Sequence, residues 1–240
     1  KLDNPTDKDT KKNEIRPFLD VFFIHFYTKN SILMNKDCIV NDYRNELKER
    51  ILEYSEKEFY ANGVKQVKMD NIANYLSISK RTLYEIYPTK EDLLLECLKK
   101  HDTAYESRIE QYIEESNPNA IEIIIFSYKM KLEHFLQLNP LFLEELCKYK
   151  RVLSYFDARD KERDTNFNWL FTRGVEEGFF RKDLNSKIIS NMFTVSLKEA
   201  IDNELYKEFG MEYLFHDIVF TLIRGICTIK GIETIDQLLN

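Results

Sequence analysis

From Tyr43 onward the apolar positions return every three or four residues, the spacing of a helix with one buried face. Leu47, Ile51, Tyr54 and Phe59 carry the first stripe, and Asn62-Gly63 ends it, because glycine accepts the positive φ that closes a helix. Ile72, Ala73 and Leu76 predict a short second helix over about residues 68–76. The triplet Ser77-Ile78-Ser79 predicts a tight turn, and residues 80–87 a third helix. Pro88 stops that helix, since proline cannot continue the hydrogen-bond ladder. Thr89 opens a fourth, its hydroxyl suited to cap free amides, with Asp92 three residues on as in a weak capping box. Leu93, Leu94, Cys97 and Leu98 supply its buried stripe.

Further helical segments are predicted near 119–138, 140–152, 157–178, 185–207 and 211–229. The breaks between them fall at Asn117-Pro118-Asn119, Asn139-Pro140, Gly178 and Gly210. The run Ile121, Ile123, Ile124, Ile125 and Phe126 is too apolar for an exposed helix and belongs in a core or an interface. With 6 Gly and 5 Pro in 240 residues, the chain lacks the turn residues that a sandwich or barrel needs. The expected class is all-α, with one domain over 43–104 and a second over 105–240. Residues 1–42 differ: a polar opening runs into an aromatic patch without a helical stripe, followed by Met34. This extension is either a disordered arm or, over 1–33, a stretch upstream of a native start at Met34; a mass spectrum of the protein made from its own promoter separates the two.

The formal net charge of −6 makes nucleic acid a poor match in bulk, but phosphate binding depends on local potential. Between Asn62 and Lys90 there are five basic residues (Lys65, Lys68, Lys80, Arg81 and Lys90) against Asp70 and Glu85, a local balance of +3. Such a cluster alone is usually only a solvated face. The four cysteines are scattered without a C-x-x-C pair, which leaves no case for a metal centre and suits a reduced protein. His25, His101, His134 and His216 have no partner motif, and neither a nucleophile elbow nor a phosphate loop is present, so no catalytic residue is assigned and an enzyme is not expected. No cofactor is implied. No apolar run reaches the length of a membrane span, and the aromatic patch lacks a small-residue cleavage site, so a cytoplasmic protein without a membrane partner is expected.

The second helix, the three-residue turn and the third helix make a helix-turn-helix, whose last helix can enter a major groove. Lys80, Arg81 and Thr82 cluster at its first turn, Leu83 and Ile86 can face the core, and Tyr84 and Tyr87 carry hydroxyls suited to phosphate oxygens. The segment from Gly63 to Leu94 resembles the DNA-binding domain of the tetracycline-repressor (TetR) family over about residues 44–104. Gly63, Ile72-Ala73, Ile78-Ser79, Thr82-Leu83-Tyr84, Tyr87, Lys90-Glu91 and Leu93 stand in the family's order and spacing. The resemblance implies that Ser79 caps the recognition helix, that Lys80, Arg81 and Thr82 meet phosphates or base edges, and that Tyr84, Tyr87 and Lys90 meet the DNA backbone. Three positions depart from the pattern: Ser77 replaces a turn glycine, Lys68 replaces a threonine cap with a phosphate-seeking charge, and Arg81 replaces a common glycine.

Beyond residue 105 the resemblance is architectural. It implies a helical ligand-binding and dimerisation domain, a homodimer on a palindromic operator of double-stranded DNA, and a small lipophilic effector that releases a repressor. The loop Gly174–Arg181 resembles one that these proteins carry between core helices. The dimer stripe would run through Ile188, Met192, Val195 and Leu197 and through Leu214, Ile218, Phe220, Leu222 and Ile223. Candidate pocket residues are Phe126, Tyr128, His134, Trp169 and Phe193, each of which could equally be plain core. The alternative is a ligand-independent DNA-binding or protein-interaction module of the same fold, which a thermal-shift screen with lipophilic compounds would separate from a sensor.

Overall fold

The computed structural model describes residues 42–239, Cys147 excepted. The readings of the stretch before Asp42, including the start at Met34, lie outside the described residues. Among the described residues eleven helices follow in order: α1 Asp42–Asn62, α2 Met69–Tyr75, α3 Lys80–Ile86, α4 Lys90–Ser116, α5 Ala120–Gln137, α6 Pro140–Leu146, α7 Lys150–Glu176, α8 Ser186–Asp202, α9 Leu205–Phe209, α10 Met211–Ile226 and α11 Ile229–Leu239. Among the described residues the only β pairing is one isolated antiparallel bridge, Phe180 with Cys227. The fold is all-α.

The described chain divides into two compact units, residues 42–103 with 137–154, and residues 104–136 with 155–239. The first is built on Ile51, Phe59, Ile72, Leu83, Leu93 and Leu94, all fully buried, which are the positions that helical spacing selects. The fourth helix is capped as its sequence suggests: Asp92 N–H donates to Thr89 Oγ1 at 3.0 Å, and Thr89 N–H donates back to Asp92 Oδ2 at 3.0 Å.

The membership of 137–154 is a difference from the single boundary expected at residue 105. Periodicity does not reveal it, because the ties are polar contacts between residues far apart in sequence. Asn139 donates its backbone N–H to the Tyr60 carbonyl at 2.8 Å and its amide to the Ala61 carbonyl at 2.9 Å. The Phe142 ring meets the edge of Tyr60 at 4.9 Å, and Arg151 pairs with Asp92.

The helix limits after Pro140 also differ. The segments expected at 140–152 and 157–178 become α6 and a 27-residue α7, because Lys148 and Tyr149 turn back onto Glu145 and Leu146 and Leu153 then starts the ladder from Tyr149. The segment expected at 185–207 ends at Asp202 and is followed by the short α9, with Glu204 at φ 55° between them. A separate final helix, α11, begins where Thr228 accepts Gly231 N–H on its hydroxyl at 3.2 Å.

In the second unit, α5 starts at a reciprocal cap: Asn119 Oδ1 accepts from Ile121 and Glu122 at 3.0 and 3.1 Å, and Glu122 accepts from Asn119 N–H at 2.7 Å. After α7 the chain turns at Gly178 and pairs briefly with the end of α10, with Arg181 N–H on the Ile226 carbonyl at 2.9 Å and Thr228 N–H on the Phe179 carbonyl at 2.8 Å. This folds the Phe180 ring over Gly174, where an added Cβ would stand 2.1 Å from the ring. Gly174→Ala is therefore expected to displace Phe180 and to destabilise the second unit by about 1–3 kcal/mol, an overpacking cost, read as a lowered thermal midpoint by circular dichroism; an unchanged midpoint would contradict this packing.

Candidate nucleic-acid interface and effector cavity

The turn between α2 and α3 has a defined shape. Ser77 sits at φ 55°, its N–H donates to the Asn74 carbonyl at 3.1 Å, and Ile78 N–H donates to the Ala73 carbonyl at 3.0 Å. These two bonds and the left-handed residue make a Schellman motif, which reverses the chain in few residues. Ser79 follows as N-cap of α3, its hydroxyl accepting Thr82 N–H at 3.0 Å. α2 lacks such a cap: Lys68 holds the N-cap position with no side-chain bond to the helix, and its side chain is exposed.

α3 anchors itself through Leu83, fully buried, and through half-buried Ile86. Lys80, Arg81 and Tyr84 point outward, Tyr84 being 44% exposed. Lys80 Nζ lies 2.5 Å from Asp70 Oδ2, and Arg81 Nε lies 2.8 Å from Glu85 Oε1, so both cations have carboxylate partners within their own unit. The bond to Glu85 pushes the Arg81 guanidinium further up from its usual value. Exposed pairs of this kind contribute little and exchange readily for another anion.

The remaining candidates are placed behind that face. Thr82 is half-buried, with its hydroxyl 2.8 Å from that of Ser79. Tyr87 is only 6% exposed and its ring belongs to the core; burial pushes its phenol well above the usual value. Lys90 donates to three backbone carbonyls, those of Val64 at 2.8 Å, Lys65 at 3.3 Å and Val67 at 2.9 Å. Burial lowers its pKa, against an opposing effect of the nearby Glu145 carboxylate. That carboxylate accepts Lys65 N–H at 2.6 Å, so Glu145 of α6 and Lys90 of α4 grip the same loop before α2. Sequence reasoning passed over Glu145, because nothing in a linear pattern pairs it with residue 65. The outward set is thus Lys68, Lys80, Arg81 and Tyr84, with Ser79, Thr82, Tyr87 and Lys90 in support.

The family model for bacterial regulatory proteins of the tetR family matches residues 51–97, which span the helices just described. The chain carries a TetR-family DNA-binding domain. An HTH-type transcriptional regulator of Haemophilus influenzae is 22% identical over 162 residues, covering 66% of this chain and 82% of that one. A transcriptional regulator from Saccharomonospora viridis, solved in complex with choline, is similar in fold with a TM-score of 0.58 at 17% identity, covering 77% of this chain and 99% of the other. A TetR-family regulator from Agrobacterium tumefaciens gives a TM-score of 0.60 at 12% identity, over 77% and 99%. The family model thus covers the local motif, and the likeness to the solved structures covers the fold of the wider chain.

The second unit holds a cavity of about 50 Å³. α5 contributes Ile124, Ser127, Tyr128 and Lys131, the i, i+3, i+4, i+7 positions of one helix face. α7 adds Phe167, Leu170 and Phe171, the following turn adds Phe180, α8 adds Phe193, and α10 closes the space from Phe215 to Ile226. Of the five candidate pocket residues, Tyr128 and Phe193 line this cavity. Phe126 stacks on Tyr112 at 4.1 Å, His134 lies beside Phe135 at 6.2 Å, and Trp169 borders a separate groove with Arg173. The phenylalanines of α7 were within reach of sequence reasoning, which needed only to follow the same i, i+3, i+4 rule there.

Ser77 bears a left-handed backbone that a non-glycine residue adopts at a cost of about 1 kcal/mol. Ser77→Gly is accordingly expected to raise the stability of the TetR domain by roughly that amount in urea unfolding; a loss of stability would refute the turn geometry.

Proposed function

We propose that the chain is a dimeric transcriptional repressor that reads a palindromic operator through α3 and leaves it when a small lipophilic effector enters the second unit. One observation carries the DNA half of this reading: a short capped helix holds Leu83 in the core and presents Lys80, Arg81 and Tyr84 on its other side. Arg81 can grip a guanine edge bidentately, while Lys80 and the exposed Lys68 supply phosphate contacts. In the free protein Asp70 and Glu85 satisfy these cations, and DNA phosphates would take their place.

Dimerisation is supported by apolar surface that the second unit leaves uncovered. Ile188, Met192 and Val195 recur at i, i+4 and i+7 on α8 and are 61%, 46% and 52% exposed. They form one strip of the expected stripe, whereas Leu197, Leu214, Phe220 and Ile223 are buried within the unit. A contiguous apolar strip in water marks an interaction surface, and a two-fold pairing would present two recognition helices to two half-sites. Effector release would follow as a population shift toward the conformers that accommodate the ligand.

Two measurements test this reading. With DNA from the promoter beside the gene, the double substitution Lys80→Ala, Arg81→Ala is expected to abolish specific retardation in gels and to reduce the slope of log affinity against log salt by roughly one, for the phosphate contact of Lys80; an unchanged slope would exclude α3 as the DNA-contacting element. Met192→Glu is expected to split the dimer in sedimentation velocity while leaving the helical content intact, because each copy would have to bury a charge at a cost of several kcal/mol. Persistence of the dimer would move the interface elsewhere.

A further inference from the structure

The cavity of the second unit is walled by rings and closed to hydrogen bonding. Phe193 of α8, Phe167 and Phe171 of α7 and Phe180 of the following turn form a chain, with successive ring centres 6.0, 6.2 and 5.8 Å apart. A second group joins α5 to α10, where the Tyr128 and Phe215 rings stack at 5.3 Å. Branched aliphatic side chains, among them Leu170 and Val219, fill the remaining wall. The polar residues of the lining turn almost no polar surface inward. The Ser127 hydroxyl oxygen is sealed off by its neighbours, and the Lys131 ammonium is engaged 5.0 Å over the Tyr105 ring. A polar head group entering here would meet hydrocarbon in place of donors and acceptors.

We propose that this cavity takes a small aromatic hydrocarbon, whose ring joins the two ring groups of the wall. The inference rests on the effector reading above and narrows a lipophilic effector to one without a polar head. Aromatic rings attract one another, offset or edge to face, at centre distances of ~4.5–7 Å. The wall already has that spacing, so an inserted ring finds partners in the geometry it prefers. A hydroxyl on the ligand would give up its bonds to water and find none in exchange, and a carboxylate would lose far more. The Saccharomonospora viridis regulator was solved with the cation choline. Ring faces attract such a cation, but this lining holds a lysine and no carboxylate to balance the charge. At about 50 Å³ the space is smaller than the ~150 Å³ in which a hydrocarbon-lined cavity holds benzene. The ring therefore enters only as wall side chains move, and occupancy is linked to rearrangement of the helices that carry them.

The test is isothermal titration of the full chain with toluene, cyclohexane, p-cresol, benzoate and benzyltrimethylammonium, probes that differ in ring character, hydroxyl and charge. Toluene is expected to bind roughly twofold or more tightly than cyclohexane, the ring–ring contribution. It should bind roughly tenfold or more tightly than p-cresol, whose hydroxyl goes unpaired, and the two ions should bind more weakly still. Val219→Phe, which extends a ring into the space from α10, should weaken toluene about tenfold with the circular dichroism spectrum retained. Leu170→Ala, which widens the space from α7, should tighten toluene; if one variant fails to fold, the other decides. An affinity for p-cresol, benzoate or the quaternary ammonium that equals that for toluene, tighter binding of cyclohexane, indifference of toluene to the wall substitutions, or no binding of toluene would overturn the proposal. Gel retardation of promoter DNA by the probe-free protein tests the regulator reading separately. A chain that binds DNA and no toluene loses only this assignment, whereas one that binds toluene and no DNA keeps the ligand class and loses the regulator reading.

Discussion

The face proposed to read DNA depends on how firmly the loop before α2 is held, and that loop is held by buried Val64 and Val67 and, from two sides, by charge. The Lys90 ammonium collects the carbonyls of Val64, Lys65 and Val67, while the Glu145 carboxylate takes the amide of Lys65. Three acceptors at the end of one lysine and one short bond to a carboxylate fix a stretch that has no regular structure of its own. They act together with the buried side chains of Val64 and Val67, which anchor the same stretch in the core, and α3, only seven residues long, could not hold its register by itself, since helices of that length are not stable alone. The recognition helix is positioned by its neighbours more than by its own hydrogen bonds.

This division of labour reassigns several residues. Lys90 and Tyr87 have side chains that suit phosphate, yet in the free protein they are committed to carbonyls and to the core. Lys68 is the converse case: it occupies a helix cap without capping, so the helix forgoes the cap's stabilisation of about 1 kcal/mol and keeps an exposed cation at the surface. Ser77 likewise holds a backbone angle that glycine would hold with less strain. A domain that gives up stability at two places in its motif has room to be tuned by partners that bind the folded form.

The helical class, the helix-turn-helix and the caps at Ser79 and Thr89 were legible because they are local: spacing, a cap residue and a terminating Gly or Pro lie within a few positions of one another. Leu83 in and Lys80 out follow from the same arithmetic. What escaped is non-local. The return of 137–154 to the first unit rests on Asn139, Glu145 and Arg151 meeting residues about 60 to 80 positions earlier, and no periodic pattern records such pairs. The break at Glu204 and the final helix after Thr228 were missed because neither is announced by proline or by a glycine at the point of the turn. Tyr128 and Phe193 were found in the cavity wall, whereas Trp169 and His134 were drawn in by residue type; helix phase, in which Ile124, Ser127, Tyr128 and Lys131 share a face, is the better guide.

The tightness of the space behind α5 sets the sensitivity of any response that passes through it. A ligand that has to push phenylalanine rings aside binds only after the protein has done work on itself, and its measured affinity is its intrinsic affinity scaled by the fraction of molecules already open. The threshold concentration is then governed less by the atoms that touch the ligand than by how well the empty rings pack on one another. Drift in those aromatic contacts would retune the dose at which such a switch is thrown while leaving what it recognises unchanged.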